Sequence, residues 1–171
     1  FASDGASAVE IALKMSFHSH ANRGDTRRTR FIALSNGYHG ETLGALSMGD
    51  IPLYRRIYAP LLLEPLFAPS PDAYEAEPGE SAEAYGQRLV AELAAAIGQL
   101  GGNNVIAFVA ETGGGATQGA VTPVPGYLRG VRELCSRHGI LLILDEVMCG
   151  MGRCGTLHAC EAEGVVPDLL V

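Results

Sequence analysis

The sequence of 171 residues has little positive charge: 12 Lys and Arg stand against 19 Asp and Glu, which gives a formal net charge of -7. Nucleic acids and anionic membrane surfaces are bound by clusters of Lys and Arg, so this balance argues against both as partners. The short basic run Arg27-Arg28-Thr29-Arg30 is too small to change that expectation. We interpret it as a solvated turn before a strand.

Long apolar runs are also missing, since no stretch approaches the roughly 18 residues that a membrane-spanning helix needs. No secretory leader pattern is visible. The chain starts at Phe1 rather than Met and stops at Val171 inside an apolar segment. We therefore expect residues 1–171 to be an internal fragment of a longer protein, forming part of one large domain.

The few cysteines form no C-x-x-C pair; they are Cys135, Cys149, Cys154 and Cys160. Without secretory context they are expected to be reduced thiols, which predicts a cytoplasmic protein. A zinc site made of Cys149, Cys154, His158 and Cys160 is conceivable, but its spacing fits no usual structural zinc pattern. We therefore expect no metal.

Short apolar runs alternate with helical patterns along the chain. Strands are predicted for three apolar runs, at 31–34, 105–110 and 140–144. Helices are predicted at 7–21, from after Gly40 through about Ser47, at 81–100, and at 125–137 with a proline in its first turn. The proline-rich residues 50–80 are expected to be irregular. This order predicts an α/β fold with a mostly parallel sheet flanked by helices on both faces.

Three polar residues follow the ends of predicted strands: Tyr38, Glu111 and Asp145. In parallel sheets of this kind, ligands bind outside the carboxyl ends of the strands. In the stretch LLILDEVMCGMGR, Asp145 comes directly after four aliphatic residues. A carboxylate in that position loses hydration, which is costly unless a cation or several hydrogen-bond donors meet it. The sequence therefore predicts a positive partner for Asp145.

Two chemistries could supply that partner. An apolar strand ending in Asp-Glu is typical of the metal-binding strand of phosphate-loop NTPases, which also need the motif G-x-x-x-x-G-K-[ST]. The only lysine, Lys14, lies between Leu13 and Met15, so residues 1–171 contain no such loop. The other chemistry is a ring cofactor that carries both a cationic nitrogen and a phosphate.

Three stretches favour the cofactor: DEVMCGMGRCGTLHACEAEGVVPD, NGYHGETLGALSMG and GYLRGVRELCSRHGILLILDEV. They resemble the class III aminotransferases, pyridoxal phosphate enzymes of fold type I, in the same order and over nearly the whole chain. The resemblance implies a partial large domain of that fold and a homodimer whose active site is completed across the interface. It also implies transfer of an amino group from an amine or amino acid to a keto acid or aldehyde.

The resemblance also implies roles for particular residues. Asp145 matches the aspartate that pairs with the protonated pyridine nitrogen. Val147 and Tyr38 match the residues against the two ring faces, and Glu111 matches a glutamate of the active-site wall. His39 either lies near the ring or stabilises its turn. For Asp145 the alternative is a strand-end cap bonded to backbone N–H groups.

At the other end of the cofactor, the resemblance places the phosphate on a helix N-terminus, with Gly5 and Ala6 donating through their backbones. This sequence departs from the usual family pattern S-G-[ST]-E-A, because Ala6 and Ser7 replace the hydroxyl and the glutamate, and Asp4 adds an acid. A second departure follows Glu111, where residues 113–115 are three consecutive glycines and predict a flexible wall.

The resemblance implies that a lysine after the Val166-Pro167-Asp168 segment binds the cofactor as a Schiff base. We expect that lysine beyond Val171, so the fragment alone is expected to be inactive. Lys14 is interpreted as a solvated helix residue. Glu146 is expected to be structural, since chain alternation points it away from Asp145. A non-catalytic relative with a drifted phosphate loop, or a nucleotide-binding α/β module, remains an alternative.

Overall fold

The centre of the fold is a parallel five-stranded sheet, seen in a computed structural model that describes residues 2–113 and 115–171. Its strands are β1 (Arg30–Leu34), β2 (Leu66–Ala68), β3 (Val105–Glu111), β4 (Leu141–Asp145) and β5 (Leu169–Leu170). Their spatial order is β2-β1-β3-β4-β5, and every neighbouring pair is parallel. All the carboxyl ends therefore lie along one edge of the sheet.

Helices connect these strands. The α-helices in the described residues are α1 (Gly5–Asn22), α2 (Leu43–Met48), α3 (Pro52–Arg55), α4 (Ala82–Leu100) and α5 (Tyr127–His138). Short 3-10 helices occupy Ala59–Leu61, Ala73–Glu75, Gly102–Asn104, Ala116–Gln118 and Ala159–Glu163. None of the helices in these residues is both long and apolar enough to cross a membrane.

Apolar side chains of the strands are buried on both faces of the sheet. In β1, Ile32 and Leu34 join the core that contains α4 and α5, whereas Phe31 and Ala33 join the core that contains α1 and α2. Alternate residues of a strand point to opposite faces, so a continuous apolar run supplies two cores at once. The predicted α/β fold, with helices on both faces of a mostly parallel sheet, is confirmed.

Two predictions about the elements are wrong. The proline-rich segment contains a strand, β2, which pairs with β1 at the sheet edge between Pro65 and Pro69. Three residues are too few to show a strand pattern. The last long helix starts at Tyr127 rather than Pro125, because its N-cap Gly126 has the left-handed φ of 81° and interrupts the helical path.

The basic run before β1 is only partly solvated, and Arg28 corrects that prediction. Its side chain is 7% exposed and donates to the Asp25 carboxylate at 2.9 Å. It also donates to the carbonyls of Gly102, Val105 and His138. A buried guanidinium is tolerated here because a carboxylate and backbone acceptors replace its hydration.

Candidate active site

A cleft of about 400 Å³ opens at the carboxyl edge of the sheet. Glu111 and Asp145 are partners in the β3–β4 register, so both acids reach this edge side by side. The cleft is lined by all seven residues proposed from the sequence together with several neighbours: Asp4, Gly5, Ala6, Tyr38, His39, Gly40, Glu41, Glu111, Gly113, Ala116, Asp145, Val147 and Met148. The structure therefore brings the candidates together, while their roles stay predictions.

Asp145 is 7% exposed, and its carboxylate accepts hydrogen bonds from two donors. The His39 ring nitrogen Nδ1 lies 2.8 Å from Oδ2, and the Val147 backbone N–H donates to Oδ1 at 3.1 Å. A carboxylate only accepts, so Nδ1 carries the hydrogen of the first bond. The other ring nitrogen of His39, Nε2, is buried without a hydrogen-bond partner among the described residues.

Glu146 points away from Asp145 and has a structural role. Its carboxylate accepts the backbone N–H groups of Ala159 and Cys160, each at 2.8 Å, at the start of the 3-10 helix Ala159–Glu163. These N–H groups lack an acceptor within the helix, so the acid caps them. Asp145 therefore faces the cleft, whereas Glu146 points to the other side of the chain and caps the 3-10 helix.

Glu111 holds the Tyr38 turn from the β3 strand end. Its Oε1 accepts the Tyr38 backbone N–H at 2.7 Å. Burial raises the pKa of the Glu111 carboxyl, and the nearby Asp145 charge raises it further. The hydrogen bond from the Tyr38 N–H and the electrostatic effect of His39 act in the opposite direction. Gly115 lies so close that an added Cβ would overlap the Glu111 carboxylate. A side chain at position 115 would therefore displace the Glu111 carboxylate, a contact that the sequence pattern did not reveal; Gly114 lies outside the described residues.

The N-terminus of α1 forms one wall of the cleft. Asp4 is its N-cap and accepts the Ser7 backbone N–H at 2.8 Å, a bond that lowers the pKa of the Asp4 carboxyl. A Cβ on Gly5 would lie 3.0 Å from the Val147 side chain, and one on Gly40 would overlap Ala6. Two glycines thus let the β4 loop and the Tyr38 loop pack closely against the helix start.

Lys14 lies outside this cleft. It lines a larger groove, about 870 Å³, between α1 and residues 62–65, which contains none of the seven candidate residues. We give the larger groove no catalytic role, because the buried acid and its donors lie in the smaller cleft. No group of three or more His, Cys, Asp or Glu side chains is placed to hold a metal ion within the described residues.

The family model described as aminotransferase class-III matches residues 1–171. The chain belongs to the class III aminotransferases. It is 42% identical over 172 residues to the adenosylmethionine-8-amino-7-oxononanoate aminotransferase of Nitratidesulfovibrio vulgaris, covering 99% of this chain and 32% of that protein.

Two further relatives agree with this class III assignment. An aminotransferase of Gibberella zeae is 44% identical over 170 residues, covering 96% of this chain and 33% of that protein. A PLP-bound amine transaminase from an uncultivated Pseudomonas species superposes with a TM-score of 0.92 at 37% identity, covering 99% of this chain and 38% of that one. The chain thus spans about a third of the length of the relatives it matches.

Proposed function

We propose that the full-length protein is a pyridoxal-phosphate-dependent transaminase, which moves an amino group from an amine or amino acid to a keto acid or aldehyde. The observation that carries this proposal is the desolvated acid Asp145, bonded to His39 in a cleft between Tyr38 and the start of α1. Family membership supports the same activity. The substrates and the cofactor are proposed for the whole protein and not for residues 1–171 alone.

The Asp145 carboxylate fits a cationic ring nitrogen. Two oxygens offer about four acceptor positions, and the bonds from His39 and Val147 use two of them. Because the carboxylate is largely withdrawn from water, a charge-assisted bond there is stronger than one at the surface. His39 orients the acid, and so Asp145 would hold the proton on the ring nitrogen.

The start of α1 fits the phosphate. The first N–H groups of a helix have no carbonyl acceptor within it, and the helix dipole favours an anion there. Gly5 and Ala6 provide such N–H groups on the cleft wall. Asp4 already caps the Ser7 N–H, so the phosphate would share this helix end with a carboxylate.

When bound, the cofactor would supply an electron sink for the substrate carbanion. The chain's own residues would bind and orient it: Tyr38 and Val147 would contact the ring, and Asp145 would bond to its protonated nitrogen. Glu111 fixes the Tyr38 backbone and forms the wall beside it.

We propose that Lys14 is not the lysine that binds the cofactor covalently, because it lies in a different groove. Family likeness also supports a homodimer with a shared active site and a cytoplasmic location. The Asp168 carboxylate of the Val166-Pro167-Asp168 segment accepts the Leu142 N–H at 2.8 Å and pairs with Arg132 at 2.7 Å. That segment therefore docks β5 on the sheet rather than contributing to the cleft.

The test uses the full-length protein with pyridoxal phosphate and a panel of amino donors and acceptors. Adenosylmethionine and 8-amino-7-oxononanoate belong in the panel, since several relatives are named for them. We expect a bound-cofactor absorbance band that changes on adding donor, and amino transfer that Asp145→Asn lowers by about 100-fold or more. A protein that stays colourless at saturating cofactor would instead be a non-catalytic relative.

A further inference from the structure

The Tyr38 ring needs a side-chain contact to fix its angle. The peptide group between Gly37 and Tyr38 is held by two bonds, because the Tyr38 N–H donates to Glu111 at 2.7 Å and the Gly37 carbonyl accepts the Asp50 N–H at 3.0 Å. Neither bond limits rotation about the side-chain torsions. The side chain is also 36% exposed, so packing encloses it only in part. Side-chain contacts must therefore orient the ring: the Glu41 carboxylate lies near the Tyr38 hydroxyl, and a second aromatic ring packs against the Tyr38 ring.

Tyr54 makes that contact from a different element. The rings of Tyr38 and Tyr54 have centroids 5.8 Å apart and planes at 68°, an edge-to-face arrangement. Aromatic pairs prefer this geometry because the positive edge of one ring meets the negative face of the other. Rotation of the Tyr38 ring would break the contact, so Tyr54 restricts it. Tyr54 itself does not line the cleft.

Tyr54 belongs to α3, which is too short to be stable alone. The helix has four residues, and an isolated turn does not offset its own nucleation cost. Arg55 anchors it: Nη1 donates to the carbonyls of Ser47 at 2.7 Å and Gly49 at 2.6 Å, and shares one of these hydrogens with the Leu46 carbonyl at 3.2 Å. These carbonyls lie at the end of α2, where the helix dipole favours a cation.

The corner between α2 and α3 also contacts the Tyr38 turn directly. A Cβ on Gly49 would lie 3.1 Å from the Gly37 carbonyl oxygen, so a side chain there would press on the turn. The neighbouring Asp50 N–H bonds to the same oxygen. The Arg55 anchor, this corner and the ring contact therefore join α3 and the turn into one packed unit.

We propose that Tyr54 is a positioning residue, which acts through Tyr38: its ring edge-to-face contact sets the angle at which Tyr38 meets the cofactor ring, and Arg55 holds Tyr54 in place. This inference rests on the proposed function for the role of Tyr38. It adds a residue that touches neither cofactor nor substrate. It also gives the segment after α2 a part in the site.

The first experiment compares cofactor binding by Tyr54→Leu, Tyr54→Phe and Tyr58→Leu in the full-length protein. Tyr54→Leu removes the ring, Tyr54→Phe keeps it, and Tyr58 is an exposed tyrosine of the same segment without a ring partner in the described residues. We expect Tyr54→Leu to raise the pyridoxal phosphate Kd about 2- to 10-fold and to change the circular dichroism of the bound cofactor. Tyr54→Phe and Tyr58→Leu should match the unmodified protein.

A second readout needs no cofactor. With 3-fluorotyrosine at position 38, the fluorine resonance should move and sharpen in Tyr54→Leu, because the freed ring averages its environments, and stay in place in Tyr58→Leu. An unchanged resonance together with an unchanged Kd in Tyr54→Leu would overturn the positioning role, as would equal effects of Tyr58→Leu. If the unmodified protein binds no cofactor but the resonance moves, the ring contact stands and the proposed function falls.

Discussion

His39 Nδ1 and Asp145 Oδ2 lie 2.8 Å apart, and both side chains are buried although 106 residues separate them in sequence. The contact joins the Asn36-Gly37-Tyr38-His39-Gly40 turn after β1 to the end of β4. It explains why a buried carboxylate is tolerated at the end of an apolar strand, since a hydrogen-bond donor replaces part of its lost hydration. It also fixes the acid at one angle toward the cleft.

Removing the His39 donor should weaken cofactor binding without unfolding the protein. A hydrogen bond to a charged group contributes about 1.5–3 kcal/mol, so His39→Leu should raise the pyridoxal phosphate Kd by roughly 10- to 100-fold in a spectrophotometric titration. His39→Asn keeps a side-chain donor and should recover part of the affinity. Equal affinities for His39→Leu and the unmodified protein would show that His39 does not support Asp145.

Glu111→Gln should stabilise the folded protein at neutral and alkaline pH. The pKa of the buried Glu111 carboxyl is raised, so its ionised form is disfavoured in the folded state, whereas Gln is neutral and can still accept the Tyr38 N–H. As pH falls through the raised pKa, the native carboxyl takes up its proton. The advantage of Gln should shrink and vanish below the ordinary value of 4.5.

Urea unfolding of the Glu111→Gln variant at several pH values from 8 to about 4 checks this linkage. Glu83→Gln is the matched control, because Glu83 is exposed in the first turn of α4, where its charge is favourable. An unmodified protein that is more stable than Glu111→Gln at pH 8 would contradict the buried, disfavoured charge.

Arg28 should be far more important for stability than its neighbour Arg27. Arg28→Met leaves three backbone carbonyls and Asp25 without their donor, which should cost about 3 kcal/mol of unfolding free energy. Arg27 is 66% exposed and lies 3.5 Å from the same acid, so Arg27→Met should cost less than about 1 kcal/mol. Thermal or urea unfolding compares the two; similar losses would count against the buried network.

Ala120→Gly should raise stability. Ala120 has a φ of +66°, a left-handed conformation that is strained for alanine but open to glycine. Relief of that strain should exceed the entropy lost by the glycine, for a net gain of about 0.5–1 kcal/mol. Ala95→Gly, at an exposed position inside α4, should lose about 1 kcal/mol. Destabilisation by both changes would show that Ala120 is unstrained.

The sequence predicted what depends on local patterns. The long helices and β1, β3 and β4 follow from apolar periodicity, and the strand-end rule brings Tyr38, Glu111 and Asp145 to one edge. The contacts that complete the site join distant segments, as His39 does with Asp145 and Glu111 with Tyr38. No local window contains both partners of such a pair. β2 was missed for a related reason, because a three-residue edge strand is defined by its neighbour.

The central claim is that Asp145 keeps the pyridine nitrogen of the bound cofactor protonated. The most direct measurement is the nitrogen NMR shift of pyridine-¹⁵N-labelled pyridoxal phosphate bound to the full-length protein at neutral pH. We predict the shift of a protonated nitrogen in the unmodified protein and that of a neutral nitrogen in Asp145→Asn. A neutral nitrogen in the unmodified protein, or the same protonated shift in both, would contradict the account.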